Sequence, residues 1–175
     1  MPDLNPRIRE QIERQLEEVR QLSLPDAVKA SGGGARIKVA EASKRTAADG
    51  RVFASKWEMT VYDWLRRMIK PEHLHLQVAF ELQAACADDN GKKQQPVRYI
   101  ADFVVSGKSP AVAGWELEER DIVIDAKGFR TEMFRVKSKL FVGRYRRGIR
   151  LARQGHPEDL ENIYKEYRSK FHGTD

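Results

Sequence analysis

The sequence predicts an α/β fold in which a central mixed β-sheet is flanked by helices and preceded by an N-terminal helical extension. Alternating or β-branched runs at 77–84, 97–105 and 121–124 are separated by polar loops, as strands of one sheet would be. Segments with apolar residues at three- and four-residue steps come before and after them, the signature of packed helices. A length of 175 residues with 41% hydrophobic content is enough for one core. The expected organisation is an amphipathic helix and flexible linker over residues 1–48, a core over 49–153 and a C-terminal helix over 154–175.

From Pro6 to Leu24 the residues Ile8, Ile12, Leu16, Val19 and Leu22 line one side of a helix that Pro25 ends. A helix of this length is marginal alone, so its stripe is expected to pack on its own domain or on a second copy or partner. The Ser31–Ala35 run is glycine-rich, and with residues 38–50 it reads as a linker or mobile loop. A glycine run can cradle phosphate, but no Gly-Lys-Ser/Thr follows it here. Asp49-Gly50 signals a turn. Ser55 can cap a helix, with Glu58 completing a capping box, and Trp57, Val61, Trp64, Leu65 and Met68 form its apolar face before Pro71. Between the second and third strands, Trp115-Glu-Leu-Glu118 reads as a short extra strand or hairpin arm. After Gly128 the spacing of Phe134, Lys137, Leu140, Phe141 and Tyr145 is helical, Gly148 marks its stop, and a short strand follows at 149–151. Leu160, Ile163, Tyr164 and Tyr167 lie on one side of a last helix, 157–171.

The 32 lysines and arginines exceed the 26 acidic residues, for a formal charge of +6. That excess suits a polyanionic partner without demanding one. Cys86, alone, rules out an internal disulfide framework and a zinc cluster, and a small buried hydrophobe is the ordinary role for such a residue. With no apolar run near the ~20 residues needed to span a bilayer, a soluble, cytoplasmic protein is expected. His73 and His75 lie two apart but have no third ligand nearby in the sequence.

The chemistry concentrates in the centre of the chain. An acid two residues before a lysine should occur about twice by chance in such a composition, so Asp125-x-Lys127 is weak by itself. Its setting strengthens it: the apolar run Ile122-Val-Ile124 leads into the pair, and residues two apart in a strand project together. Asp102 stands among apolar neighbours in Tyr99-Ile-Ala-Asp-Phe103, where a carboxylate is costly unless paired or bound to a cation. An adjacent antiparallel strand could bring it beside Asp125. Two carboxylates sharing Mg²⁺, with the Ala126 carbonyl and waters completing an octahedron, would serve phosphate chemistry, and Mn²⁺ could substitute. Lys127 would orient water or neutralise developing charge, and Glu58 could add a ligand or hold a coordinated water. Against this stands the ordinary alternative: a strand-end ion pair, a carboxylate answering a turn amide, and a helix cap.

The segments Asp49-Gly-Arg-Val-Phe-Ala-Ser-Lys-Trp-Glu58, Tyr99-Ile-Ala-Asp-Phe103 and Asp125-Ala-Lys-Gly-Phe-Arg-Thr-Glu132, with Lys137-x-Lys139-Leu-Phe141, resemble the small phage endonucleases of the PD-(D/E)xK superfamily. That group is similar to the phage endonuclease I type of Holliday junction resolvases. The resemblance covers roughly residues 49–151, and Asp-x-Lys-Gly-Phe-x-Thr is its most specific part. It implies a restriction-endonuclease-like core, dependence on a divalent metal and cleavage of DNA. By position, Glu58 would be the helix carboxylate, Asp102 the motif aspartate, Asp125 the variable acid and Lys127 the lysine, with Glu58, Asp102 and Asp125 as metal ligands. The proline that names the motif is Ala101 here, which removes no ligand.

Independently, the stretch from Lys127 to Arg153 carries ten basic residues opposed within it only by Glu132. Arg130, Arg135, Lys137, Lys139, Arg144, Arg146 and Arg147, with Lys56 beside Glu58, are the candidate DNA contacts; Arg150 and Arg153 belong to the same run. Phosphate contacts position a duplex without reading its bases. The leading expectation is a Mg²⁺-dependent endodeoxyribonuclease, suited to branched or junction DNA and to a homodimer, since resolving a junction takes two cuts. If phage-encoded, it would act in the host cytoplasm. The alternatives are a non-catalytic DNA-binding or assembly module of nuclease-like fold, and an enzyme that trims RNA.

Overall fold

The computed structural model describes residues 42–108, 116–127 and 129–172. The helix expected at 6–24, the Ser31–Ala35 run, Trp115 and Gly128 lie outside these residues. The first described element is a 3-10 turn, Ala42–Arg45, after which Thr46 bridges antiparallel to Val52. The chain reverses at the expected Asp49-Gly50 turn, where Gly50 takes φ 84°, a conformation open to glycine at little cost. Residues 42–48 are therefore part of the folded core rather than the linker the sequence suggested. Ala47, a small apolar residue in a polar context, is 5% exposed and packs against the first helix.

That helix, α1, spans Lys56–Met68 and begins as read. The Glu58 amide donates to Ser55 Oγ at 3.1 Å, and Ser55 Oγ–H donates to Glu58 Oε1 at 3.2 Å. Strand β1 (Leu74–Gln83) starts three residues earlier than expected. The loop expected at 87–95 holds a small hairpin of β2 (Cys86–Ala87) and β3 (Lys93–Gln94). Strand β4 covers Val97–Val105, and β5 covers Ile122–Lys127, carrying the third strand three residues past its expected end. Glu116, Leu117 and Glu118 form no strand among the described residues, a correction to the reading of that segment. Leu117 instead packs against the core as a loop residue. Helix α2 spans Glu132–Tyr145, capped by Thr131, and ends at Arg146 in the left-handed region (φ 55°), two residues before the glycine expected to stop it. Strand β6 (Ile149–Arg153) and helix α3 (Pro157–Phe171) complete the chain.

The sheet order is β1-β4-β5-β6. The first two pairings are antiparallel and β5–β6 is parallel across α2, so the sheet is mixed, as predicted. One core lies between the sheet and α1 with α3, built from Trp57, Leu65, Phe103, Ile124, Leu160 and Tyr167 among others. The second lies under α2, around Phe80, Tyr99, Val123, Phe134 and Phe141. No described helix is long and apolar enough to cross a membrane.

One irregularity positions the site. In β1, Leu74 and Leu76 join the α1 side while Val78, Phe80 and Leu82 join the α2 side, although their spacing never departs from two. The faces exchange at Gln77, whose φ of 52° is uncommon for a residue with a Cβ. In β4 the same exchange falls between Ala101, on the α2 side, and Phe103, on the α1 side. The paired positions Leu76↔Phe103 and Val78↔Ala101 place Gln77 opposite Asp102.

Candidate active site

β4 and β5 pair through Phe103↔Ile124, Val104↔Val123 and Val105↔Ile122. Next to this ladder, Asp102 supplies the acceptor itself: the Ala126 amide donates to Asp102 Oδ2 at 2.8 Å. A side chain has taken the place of a strand carbonyl, which holds a carboxylate in the seam between two strands. Asp125, 1% exposed, projects to the α2 side, where the Tyr99 hydroxyl donates to its Oδ2 at 2.6 Å. Its Oδ1 lies 2.9 Å from Lys127 Nζ, an ion contact without the angles of a hydrogen bond, so this buried oxygen has no aligned donor. The Lys127 ammonium also sits 5.7 Å from the centre of the Phe134 ring, at cation–π range. The structure thus brings Asp102, Asp125 and Lys127 together.

Glu58 comes from the opposite layer. Its carboxylate completes the α1 cap, while Trp57 Nε1 donates to the Ala152 carbonyl at 2.7 Å and ties that first turn to the end of β6. Ala152 pairs with Ala126 in the parallel ladder, so the α1 N-terminus overlooks the same end of the sheet. Glu58 acts on the site through its charge, which is felt at both Asp102 and Lys127.

Burial, then the neighbouring Asp125 charge, pushes the Asp102 carboxyl up to about 7; Glu58 adds to this, and the Ala126 amide and Lys127 oppose it. Burial likewise drives the Tyr99 phenol far above its ordinary value, aided by the Asp125 charge and the hydrogen bond to it, so Tyr99 remains a donor. For Lys127 burial alone would lower the pKa, but the Asp125 contact and the charges of Asp125, Asp102 and Glu58 outweigh it and raise it. The lysine is held as a cation.

An excess of buried carboxylate, one of its oxygens without a donor and one carboxyl driven toward protonation, is an environment that a divalent cation would relieve. Among the described residues no three His, Cys, Asp or Glu side chains converge on one point, and Glu58 is engaged in its cap. The carboxylates that could donate directly to such a cation are therefore Asp102 and Asp125. Two carboxylates fit Mg²⁺, which commonly keeps several waters and takes only one or two protein oxygens. Tyr99 is the site residue the sequence reading missed. The signal was present: a tyrosine in an apolar strand needs a partner for its hydroxyl, and Asp125 is that partner.

Of the candidate DNA contacts, Arg130, Arg135, Lys139, Arg144 and Arg146 are exposed along and beside α2, and Lys137 and Arg147 are half-buried. None of them forms an ion pair with another described residue. Lys56 is exposed at the start of α1, on the other face of the sheet. Arg150 and Arg153 prove different. Arg150 makes a two-pronged contact with Glu166 at 2.7 and 2.8 Å, and Arg153 makes one with Asp159 at 2.8 Å through both prongs. These arginines fasten β6 to α3, and their countercharges lie beyond the stretch in which only Glu132 was counted.

Residues 40–154 match the family described as protein of unknown function, DUF1064. No curated protein and no solved structure matches the chain.

Proposed function

We propose that this chain, which belongs to the DUF1064 family, is a Mg²⁺-dependent endodeoxyribonuclease with a restriction-endonuclease-like core of the PD-(D/E)xK kind. The observation that carries this reading is the seam between β4 and β5, where Asp102 and Asp125 lie side by side with Lys127 against Asp125. Asp102 and Asp125 would hold the cation, with Mn²⁺ able to substitute. When bound, Mg²⁺ supplies Lewis-acid polarisation of the phosphodiester and lowers the pKa of an attacking water. The chain's own groups prepare that chemistry. Tyr99 and the Ala126 amide fix the rotamers of Asp125 and Asp102, so the carboxylates do not have to reorganise during reaction. Lys127, kept charged, stabilises the negative charge that develops on the oxygens of the phosphodiester. Glu58 adds a negative field that favours a cation and orients water from the α1 side. The bases of α2 hold the backbone of the substrate without reading sequence, so selectivity for DNA shape, including branched or junction DNA, is the specificity this surface supports. Two cuts at a junction imply a homodimer, and a monomer in sedimentation at high concentration would remove that part.

A second reading has its own support. Lys127 already neutralises Asp125, as in a self-satisfied ion pair, which favours a non-catalytic DNA-docking module. The full chain with Mg²⁺ should nick plasmid and cut four-way junction DNA, and Asp125→Ala should abolish both, with RNA substrates run in parallel to identify the nucleic acid. Unchanged cleavage by Asp125→Ala overturns the site; salt-dependent binding with no cleavage in Mg²⁺ or Mn²⁺ favours the docking module.

A further inference from the structure

Helix α2 has two apolar faces. Phe134, Phe141 and Tyr145 turn inward, whereas Met133, Val136 and Leu140, at steps of three and four along the helix, remain 64%, 54% and 39% exposed, and Phe129, in the bend before the Thr131 cap, is 81% exposed. A single exposed apolar side chain is ordinary, but a helical stripe of three, with an almost bare phenylalanine just before the helix, marks a contact surface. Its position narrows the partner. Phe129 follows Lys127 by two residues, a chain reach of roughly 7 Å, so this end of the surface adjoins the carboxylate seam. Residues 129–145 carry Arg130, Arg135, Lys137, Lys139 and Arg144 with Glu132 alone opposing them, and Lys137 and Arg144, four residues on from Met133 and Leu140, adjoin the stripe. Self-pairing of two such helices would set four net positive charges against four, so the partner that suits both stripe and charge is a polyanion with flat apolar faces.

We infer that Phe129, backed by Met133, is a wedge that enters a base step of duplex DNA beside the phosphate presented to Asp102 and Asp125, an inference that rests on the nuclease reading of that site. Apolar side chains inserted between bases unstack and kink a duplex, while basic neighbours hold its backbone. Unstacking is easiest where pairing is already interrupted, so the wedge favours nicked, mismatched or branched DNA over intact duplex. It gives the selectivity for shape proposed for this surface a physical source.

The test uses the full chain and DNA carrying 2-aminopurine, whose fluorescence rises when it is unstacked. In EDTA, where no cleavage occurs, binding should raise the fluorescence; Phe129→Ala should remove the rise and Phe129→Trp should keep DNA affinity. With Mg²⁺, Phe129→Ala should cut a nicked or four-way substrate about 10- to 100-fold more slowly, with a smaller loss on intact duplex. A fluorescence rise undiminished in Phe129→Ala, or equal losses on intact and branched DNA, overturns the wedge. So does a Phe129→Ala/Met133→Ala variant that instead changes sedimentation or binding to phosphatidylserine vesicles while DNA unstacking persists. Failure of the nuclease reading looks different: no DNA is cut by the wild-type chain, while the EDTA fluorescence still decides the wedge.

Discussion

Replacing Asp102 with asparagine should stabilise the metal-free protein while destroying its response to Mg²⁺. Asparagine keeps an oxygen for the Ala126 amide, which lies 2.8 Å from the native carboxylate, but removes the charge that burial and Asp125 disfavour. Raising a carboxyl from its ordinary 3.8 to about 7, at about 1.4 kcal/mol per tenfold change in proton affinity, corresponds to at most about 4 kcal/mol held against folding once the group is ionised. Between about pH 4 and pH 7 the folded chain keeps a proton that the unfolded chain releases, so wild-type stability falls as pH rises through that window. Below it both states are protonated and the penalty vanishes; above it the penalty is complete. The advantage of Asp102→Asn is therefore absent near pH 4, grows toward pH 7 and then levels off. At about 2–4 °C per kcal/mol for a domain of this size, the melting midpoint at pH 8 in EDTA should rise on the order of 10 °C. Thermal unfolding by circular dichroism from pH 4 to pH 8, with and without Mg²⁺, reads both effects. A lower midpoint for the variant at pH 8, or a gain that ignores pH, would refute the account of Asp102. A variant that still gains stability from Mg²⁺ would refute its role as a ligand.

Other expectations follow from the same geometry. Tyr99→Phe leaves Asp125 Oδ2 buried without its donor and should cost about 1–3 kcal/mol in urea denaturation, along with slower cleavage. Lys127→Ala should reduce single-turnover cleavage about 100-fold while Mg²⁺ still raises the melting midpoint, which separates charge stabilisation from metal binding. Lys137→Ala with Lys139→Ala should lower the salt-dependence slope of DNA binding by about 2, with little change in folding. Arg153→Ala should do the reverse, lowering the melting midpoint and leaving that slope unchanged, because its guanidinium is committed to Asp159.

Much of the fold was legible because its signals are local. The capping pair Ser55 and Glu58, the glycine turn at Asp49-Gly50 and the apolar spacings of α1 and α3 depend on neighbours within one or two turns, and each appears where the residues placed it. The strands were legible in kind but not in extent. Strand β1 reaches back to Leu74 because those residues find a partner in Val105 and its neighbours, and β5 reaches Lys127 because β6 pairs alongside it. Leu117 shows the converse, an apolar residue in an extended-looking segment that buries itself with no strand to join.

The sequence by itself determined which residue types were available: three carboxylates and a lysine in an order suited to phosphate chemistry, and an excess of bases after them. Only the tertiary structure decided which of these act together. The Asp102 carboxylate meets the Ala126 amide across 24 positions of chain, and the Tyr99 hydroxyl meets Asp125 across 26. Folding also removed Arg150 and Arg153 from the basic surface by bringing Glu166 and Asp159 to them. The face exchange at Gln77 and Asp102 has no trace in an alternation that runs unbroken from Leu74 to Leu82. The physical reason is the same in each case: charge and burial act through space, and a pattern read along the chain records which groups exist but not which of them share a low-dielectric seam.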